Sequence, residues 1–249
     1  ELINEFKNYD AIFHFAASAN VALGLEKTNL DIEQGTLVTY SVLEAMRKNN
    51  IKEIIFSSSG TVYGYPEMIP TSETYGPLLP ASLYGASKLA SESLISAFCY
   101  LFGMKSWIFR FGNVVGKNSV RGIVYDLIKK LEKKTEELEV LGNGEQKKDF
   151  VYIDDCINGI LLAHEKSNEK VNLFNIGSGT NISVIDIAKM VITETGNSKT
   201  LLKFAGGPKG WKGGGWLGDI SEVLFDINKL KKLGWIPKFT SNDTIKIAI

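Results

Sequence analysis

The chain alternates short apolar runs with longer segments of helical spacing, which is the pattern of strands that alternate with helices. Ala11–Ala16 (AIFHFA) is a nearly continuous apolar run, as expected for a strand that is covered on both faces. Further strand-like runs lie at Ile51–Phe56 and Lys105–Phe111, and segments of helical spacing lie at roughly Asp31–Asn49 and Ala86–Phe102. This order predicts an α/β fold with a parallel, doubly wound sheet and right-handed crossovers.

The alternation breaks after about residue 113, where glycine-rich connections appear. In this part the pattern predicts helices at Ile153–His164 and Val184–Thr195, a short strand at Asn172–Ile176, and a last helical piece at Ile227–Leu233. We interpret residues 113–249 as mainly a smaller lobe that packs beside the sheet. Ligands of open α/β sheets bind outside the carboxyl ends of the strands, so both parts are expected to face that crevice.

Composition excludes several classes of partner. The 249 residues include 28 basic and 28 acidic side chains, so we expect no basic surface for nucleic acid or an anionic membrane. The short basic run at Lys129–Lys134 is interleaved with acids and is interpreted as a solvated helix face. No apolar run approaches the roughly 20 residues of a membrane span. Cys99 and Cys156 fit no disulfide framework and no metal-ligand spacing, which predicts a cytoplasmic protein without a metal.

Candidate chemistry lies in the stretch SLYGASKLASE (82–92), where Tyr84 and Lys88 are spaced to share one helix face. A phenol with a pKa of about 10 is a poor base, and an ammonium one helical turn away lowers that pKa. Such pairs also arise by chance, but Ser59 lies at the carboxyl end of the preceding strand and can hold a substrate oxygen. The three residues together predict oxidation of a sugar or alcohol C–OH, with the hydride passed to a nicotinamide.

The motifs SSSGTVYG (57–64), SLYGASK (82–88) and FRFGNVVG (109–116) resemble those of the extended short-chain dehydrogenase/reductase family. They are most similar to the NAD-dependent nucleotide-sugar epimerases of the UDP-glucose 4-epimerase type. HFAA (14–17), DFVYIDD (149–155), FNIGSG (174–179) and LGW-x-P (233–237) follow in the order that this family shows. The resemblance implies a Rossmann-like sheet that lacks its first strands and its glycine-rich turn. Residues 1–112 would then be an incomplete dinucleotide-binding portion, and residues 113–249 mainly a nucleotide-sugar-binding lobe.

The resemblance also implies roles by position. Tyr84 would act as the acid/base, Ser59 would contact the 4-hydroxyl of the sugar, and Lys88 would bind the nicotinamide ribose as well. Lys148 falls where many relatives carry an arginine on the substrate diphosphate, and a lysine keeps the charge without the bidentate fork. The implied NAD-binding residues are His14, Phe15, Ala16, Ala17, Ser57, Ser58, Tyr84, Lys88 and Phe111, and the implied substrate-binding residues are Ser59, Thr61, Tyr84, Asn113 and Lys148. For His14 the alternative interpretation is a core histidine whose hydrogen bonds are satisfied internally.

These matches imply epimerisation of UDP-glucose and UDP-galactose at C4, through a transient 4-keto sugar, by a homodimer packed through the Tyr84 helix and the helix before it. Ser59-Gly60-Thr61 stands where dehydratases of the family carry T-D-E, and the missing carboxylates argue against elimination of water. A nucleotide-sugar reductase or decarboxylase remains open, and so does a non-catalytic fragment or binding module.

Two features depart from the family pattern. Gly35, or Gln34 in a shifted register, stands where relatives usually carry an asparagine that supports the active-site backbone. The glycine-rich stretch that contains Trp211 and Trp216 is longer than usual, and we interpret it as a loop that covers the substrate.

Overall fold

The computed structural model describes residues 1–18, 21–207 and 214–249, and in these ranges strands alternate with helices. The strands, in chain order, are β1 (Ala11–His14), β2 (Glu53–Ser59), β3 (Lys105–Phe111), β4 (Asn113–Val115), β5 (Glu137–Val140), β6 (Lys147–Lys148), β7 (Phe150–Tyr152), β8 (Val171–Ile176), β9 (Ile182–Ser183) and β10 (Leu201–Phe204). The α-helices are α1 (Leu2–Glu5), α2 (Val38–Lys48), α3 (Leu83–Phe102), α4 (Ile123–Lys133), α5 (Ile153–Lys166), α6 (Val184–Glu194), α7 (Asn228–Lys231) and α8 (Ser241–Ala248). A π-helical segment, Ile32–Leu37, leads directly into α2, and short 3-10 turns lie at Val21–Leu25 and Gly60–Tyr63.

The main sheet has the strand order β1-β2-β3-β8, and all its pairs are parallel. Successive side chains of a strand point to opposite faces. Ile54 therefore joins an apolar cluster with α2 and α3, whereas its neighbour Ile55 joins a second cluster with α5 and α7. Helices thus cover both faces of the sheet, which confirms the predicted doubly wound α/β fold.

A third apolar cluster forms the core of the smaller lobe, where α4 and α6 pack on β5 through side chains such as Leu127, Leu138 and Ile187. The strand that we expected in this lobe at Asn172–Ile176 is β8, and it pairs with β3 instead. That expectation is wrong because α5 serves as a crossover that returns the chain to the main sheet. One strand of the sheet therefore comes from the second half of the chain.

Two boundaries matter for function. β2 does not end at Phe56, because Ser57–Ser59 continue the ladder opposite Phe109–Phe111. The helix expected to begin at Ala86 begins at Leu83, where the Ser82 hydroxyl caps it by accepting a hydrogen bond from the Gly85 amide at 3.1 Å. Ser59 is thus the last residue of a strand rather than part of a polar turn, and Tyr84 lies in the first helical turn.

Other boundaries differ less. β1 ends at His14 instead of Ala16, and the predicted piece at Ile227–Leu233 is helical over α7. Within the described ranges no helix is long and apolar enough to cross a membrane, and no group of three His, Cys, Asp or Glu side chains is arranged to hold a metal. Cys99 and Cys156 are both buried free thiols.

Candidate active site

Ser59, Tyr84 and Lys88 come together at the carboxyl end of β2, as the sequence predicts. The Lys88 ammonium donates a hydrogen bond to the Ser57 carbonyl oxygen at 2.5 Å. The same Nζ atom lies 5.8 Å from the centre of the Tyr84 ring, and the Tyr84 hydroxyl interacts with the Ser59 side chain. A residue from a strand end and two residues from the first turns of α3 therefore form one polar cluster.

Tyr84 is held as a neutral phenol in this structure. Burial raises its pKa above the ordinary value, the hydrogen bond with Ser59 lowers it, and the carboxyl group of Asp31 raises it further. The Lys88 ammonium is directed at the Ser57 carbonyl rather than at the phenol oxygen, so its lowering effect on the phenol pKa stays a prediction.

Lys88 itself is strongly perturbed. Only 3% of the residue is exposed, and burial lowers its pKa to about 8, while Glu92 acts in the opposite direction. An ammonium has three N–H donors, and Ser57 takes one of them. The other donors have no hydrogen-bond acceptor among the residues that the structure describes, so they are available to a ligand hydroxyl.

A buried ion pair between Arg110 and Glu92 contacts the end of β2 through Ser58. The Arg110 guanidinium donates to both carboxylate oxygens of Glu92, at 3.0 and 2.7 Å, and the Ser58 hydroxyl donates to the same carboxylate at 2.5 Å. The Ser58 side chain is therefore engaged in the core, and its contact with a cofactor stays a prediction. Our sequence reasoning missed Glu92 and Arg110. Two signals in the sequence were available. Arg110 is a charge inside an apolar strand (KSWIFRF), and Glu92 is an acid four residues after Lys88.

His14 follows the alternative interpretation. Its Nε2 atom pairs with the Thr39 hydroxyl at 3.0 Å, and burial lowers the pKa of the ring to about 4, with Lys88 adding to that effect. The side chain is thus a neutral group paired in the core, and a contact of the His14 segment with the cofactor stays a prediction. Phe15 and Ala16 follow it in exposed positions at the carboxyl end of β1, and their contact with a cofactor stays a prediction.

The unusual residue at position 35 has a local explanation. Gly35 lies in the π-helical segment against α3, where a Cβ atom would come within 2.3 Å of the Ser87 hydroxyl oxygen. That hydroxyl donates to the Asp31 carbonyl at 2.6 Å and also pairs with Thr36 at 3.0 Å. A side chain at position 35 would therefore displace the Ser87 hydroxyl from its hydrogen bonds, on the helix that carries Tyr84 and Lys88.

A cavity of about 650 Å³ opens beside Ser59, between the end of the main sheet and α4. The Asn113 side chain borders it and donates to the Asp149 carbonyl at 3.2 Å. Two exposed cations that sequence reasoning missed, Lys117 and Arg121, also line it, and neither has an ion-pair partner among the described residues. The residues predicted from sequence that line this cavity are Ser59, Thr61, Phe111, Asn113 and Lys148.

Lys148 has a partner that the sequence did not reveal. Its ammonium contacts a carboxylate oxygen of Asp219 at 2.5 Å and also donates to the Ile220 carbonyl. The second carboxylate oxygen of Asp219 accepts a hydrogen bond from the Gly215 amide at 3.1 Å. The lysine therefore ties the glycine-rich segment to the cavity wall, and its predicted contact with a diphosphate requires an exchange of partners.

The end of the glycine-rich segment lies over the start of α3. Trp216 lines the cavity, and a Cβ atom on Gly218 would lie 3.3 Å from the Ala81 carbonyl oxygen and 3.4 Å from Ser82. Trp211 lies outside the described residues. The interpretation of this segment as a substrate cover is consistent with the place of Trp216 and stays a prediction.

With this fold and site in place, comparison with known proteins defines the class. The model of the NAD dependent epimerase/dehydratase family matches residues 1–177, and the chain belongs to this family. It is 34% identical over 254 residues to a putative UDP-glucose 4-epimerase of Methanocaldococcus jannaschii, across 100% of this chain and 78% of that protein.

Two solved structures are similar throughout. The UDP-glucose 4-epimerase of Thermotoga maritima, solved with UDP-glucose, is 30% identical with a TM-score of 0.86, and the match covers 99% of this chain and 79% of that one. The UDP-glucuronic acid 4-epimerase of Bacillus cereus, solved with UDP-glucuronic acid and NAD, is 27% identical with a TM-score of 0.87, across 100% and 76% of the chains. Substrates thus differ among relatives at similar distances.

NAD is the cofactor of this family. Two features of the site fit the nicotinamide and ribose side of that cofactor. They are the free N–H donors of the Lys88 ammonium, beside the end of β2, and the exposed Phe15 and Ala16, which follow β1. Within residues 1–18, 21–207 and 214–249, no glycine-rich turn leads from a strand of the main sheet into a helix in the way that binds the diphosphate side. The described residues therefore fit the nicotinamide half of NAD, which is the half that takes part in hydride transfer.

Proposed function

We propose that this chain catalyses the epimerisation of a UDP-hexose at C4, interconverting UDP-glucose and UDP-galactose. The observation that carries the proposal is the cluster of Ser59, Tyr84 and Lys88 at the carboxyl end of β2, beside a cavity of about 650 Å³. The family membership and the UDP-glucose 4-epimerases among the relatives support the substrate class. Residues 1–112 would serve mainly the cofactor and residues 113–249 mainly the substrate.

In this mechanism Tyr84 removes the proton of the 4-hydroxyl while Ser59 holds the same oxygen by a hydrogen bond. Bound NAD would supply the reversible hydride acceptor for C4. The 4-keto sugar would then turn in the cavity, and Tyr84 would return the proton to the 4-oxygen when C4 is reduced on its other face. Proton and hydride are both restored, so the reaction is a net isomerisation. The Lys88 ammonium would favour the phenolate form of Tyr84, against burial and Asp31, which raise the pKa of the phenol.

The residue after Ser59 favours epimerisation over elimination of water. A Cβ atom on Gly60 would lie 2.1 Å from the ring of Phe225, so the packing leaves no room there for a carboxylate side chain. An acid at this position is what the dehydratase pattern would require. A nucleotide-sugar reductase or decarboxylase and a non-catalytic binding module remain the alternatives.

Two further proposals concern assembly and location. The outer faces of α2 and α3 expose the large apolar side chains of Tyr40, Tyr100 and Leu101. A homodimer that buries this surface would follow the family pattern, and light scattering tests it. A cytosolic location stays a prediction.

The decisive experiment uses Tyr84→Phe, assayed with UDP-galactose and NAD after calorimetric titration of NAD into the unmodified chain. We expect turnover to fall by about 10³-fold or more, because the phenol is the proposed proton carrier, while the thermal midpoint stays near that of the unmodified chain. Tyr9→Phe is the matched control, since Tyr9 is an exposed tyrosine that neither lines the cavity nor belongs to the proposed dimer surface. A Tyr84→Phe enzyme with unchanged turnover would exclude the mechanism.

A further inference from the structure

Asp31 is a buried acid for which the mechanism has no use. Only 1% of the residue is exposed, and neither carboxylate oxygen has a hydrogen-bond partner among residues 1–18, 21–207 and 214–249. A carboxylate buried without partners destabilises a folded protein. Such a group is expected where its charge serves a purpose.

The backbone and side chain of Asp31 lie against the two turns of α3 that carry the proposed catalytic pair. Its carbonyl accepts a hydrogen bond from the Ser87 hydroxyl at 2.6 Å, and Ser87 directly precedes Lys88. A Cβ atom on Gly24 would lie 2.8 Å from the Asp31 Oδ2 atom and 3.6 Å from the Cβ atom of Leu83, which directly precedes Tyr84. The carboxyl group therefore lies close to the start of α3.

The other charged or titratable groups around Tyr84 are accounted for. Lys88, on the same helix, directs its ammonium at the Ser57 carbonyl. Glu92, one turn further, is neutralised by its bidentate pair with Arg110. His14, from β1, is paired with Thr39. Among the described residues, Asp31 is thus the nearby carboxylate whose charge no cation balances.

We propose that Asp31 is a positioning residue that controls the protonation of Tyr84 through the field of its unpaired carboxylate. A negative charge near a phenol disfavours the phenolate. The direction agrees with the pKa of Tyr84, which Asp31 raises, and burial raises the pKa of Asp31 itself. Asp31 would keep Tyr84 protonated until a bound ligand brings positive charge to the site. The consequence for turnover rests on the proposed function, whereas the effect on the phenol does not.

The test is an ultraviolet titration of the Tyr84 phenol in the chain without cofactor. The Tyr84 signal is the difference between a protein and its Tyr84→Phe counterpart, recorded in the parent, Asp31→Asn and Asp31→Leu backgrounds. We expect the midpoint to fall by about half a pH unit to one unit when the charge is removed. Glu33→Gln is the matched control, because Glu33 is an exposed acid two residues after Asp31, in the π-helical segment that begins at Ile32. An unchanged midpoint in both Asp31 variants, or an equal fall in Glu33→Gln, overturns the proposal.

A second readout separates this role from a structural one. In the active enzyme the acidic limb of kcat/KM should move to lower pH in Asp31→Asn and stay in place in Glu33→Gln. A phenol midpoint that shifts in an inactive protein would support the role of Asp31 and contradict only the proposed reaction. An acidic limb that stays in place in an active Asp31→Asn enzyme would contradict the role of Asp31 in catalysis.

Discussion

Lys88 is buried and Lys148 is mostly buried in the candidate active site, and the two lysines differ in what holds their charge. Lys88 hydrogen-bonds to the backbone carbonyl of Ser57, and its nearest acid along the helix, Glu92, is already paired with Arg110. Lys148 makes a short contact with the carboxylate of Asp219. The first ammonium is therefore buried without a countercharge, whereas the charge of the second is neutralised inside the protein.

This difference separates a residue available for chemistry from one used for structure. Burial lowers the pKa of both lysines, but at Lys148 the carboxylate of Asp219 opposes that effect directly. Leaving a charge unbalanced in the interior is costly, and sites of function are where such costs are found. Lys148 instead joins the cavity wall to the end of the glycine-rich segment, and a diphosphate would have to compete with Asp219 for it.

Replacing each lysine by methionine gives the largest contrast. We expect Lys88→Met to lower kcat by about 10² to 10⁴-fold, because the phenolate loses its stabilising charge. Lys148→Met should change kcat by about tenfold or less and act mainly on KM, because a substrate contact is made equally before and during the reaction. Steady-state kinetics with UDP-galactose and NAD measure both. Equal losses of kcat in the two variants would contradict the prediction that Lys88 acts in the chemical step and Lys148 does not.

Removing the partner of Lys148 is expected to have the next largest effect. Asp219→Asn leaves the mostly buried ammonium without its countercharge, so the free energy of unfolding should fall by about 3 kcal/mol in urea denaturation. The double variant Lys148→Met with Asp219→Asn removes both charges and should recover most of that loss. If Asp219→Asn alone is as stable as the unmodified chain, the ion pair does not hold the segment in place.

The same two lysines show how far sequence reasoning reaches. The spacing of Tyr84 and Lys88 is local, and a helix of 3.6 residues per turn fixes their shared face before any tertiary structure is known. Ser59 follows from the rule that ligands bind at the carboxyl ends of parallel strands. The Lys148–Asp219 pair joins positions 71 residues apart through a loop whose path no local pattern determines. The lack of a hydrogen-bond partner for the Asp31 carboxylate among the described residues is likewise a property of packing, which only the folded chain shows.

The pH dependence of stability gives the smallest effect and tests the buried charge of Lys88 directly. Its pKa is about 8 in the folded chain and near 10.5 when the chain is unfolded. Between these values the unfolded state binds more protons, so the free energy of unfolding contributed by Lys88 rises as the pH increases from 8 to 10.5. Other groups titrate in this range, so the measured quantity is the difference between the unmodified chain and Lys88→Met. Urea denaturation at pH 8 and pH 10 should show this difference growing by about 1 to 3 kcal/mol in favour of the unmodified chain. A difference that does not change with pH would mean that the ammonium is balanced by a countercharge after all, and Lys88 would then resemble Lys148.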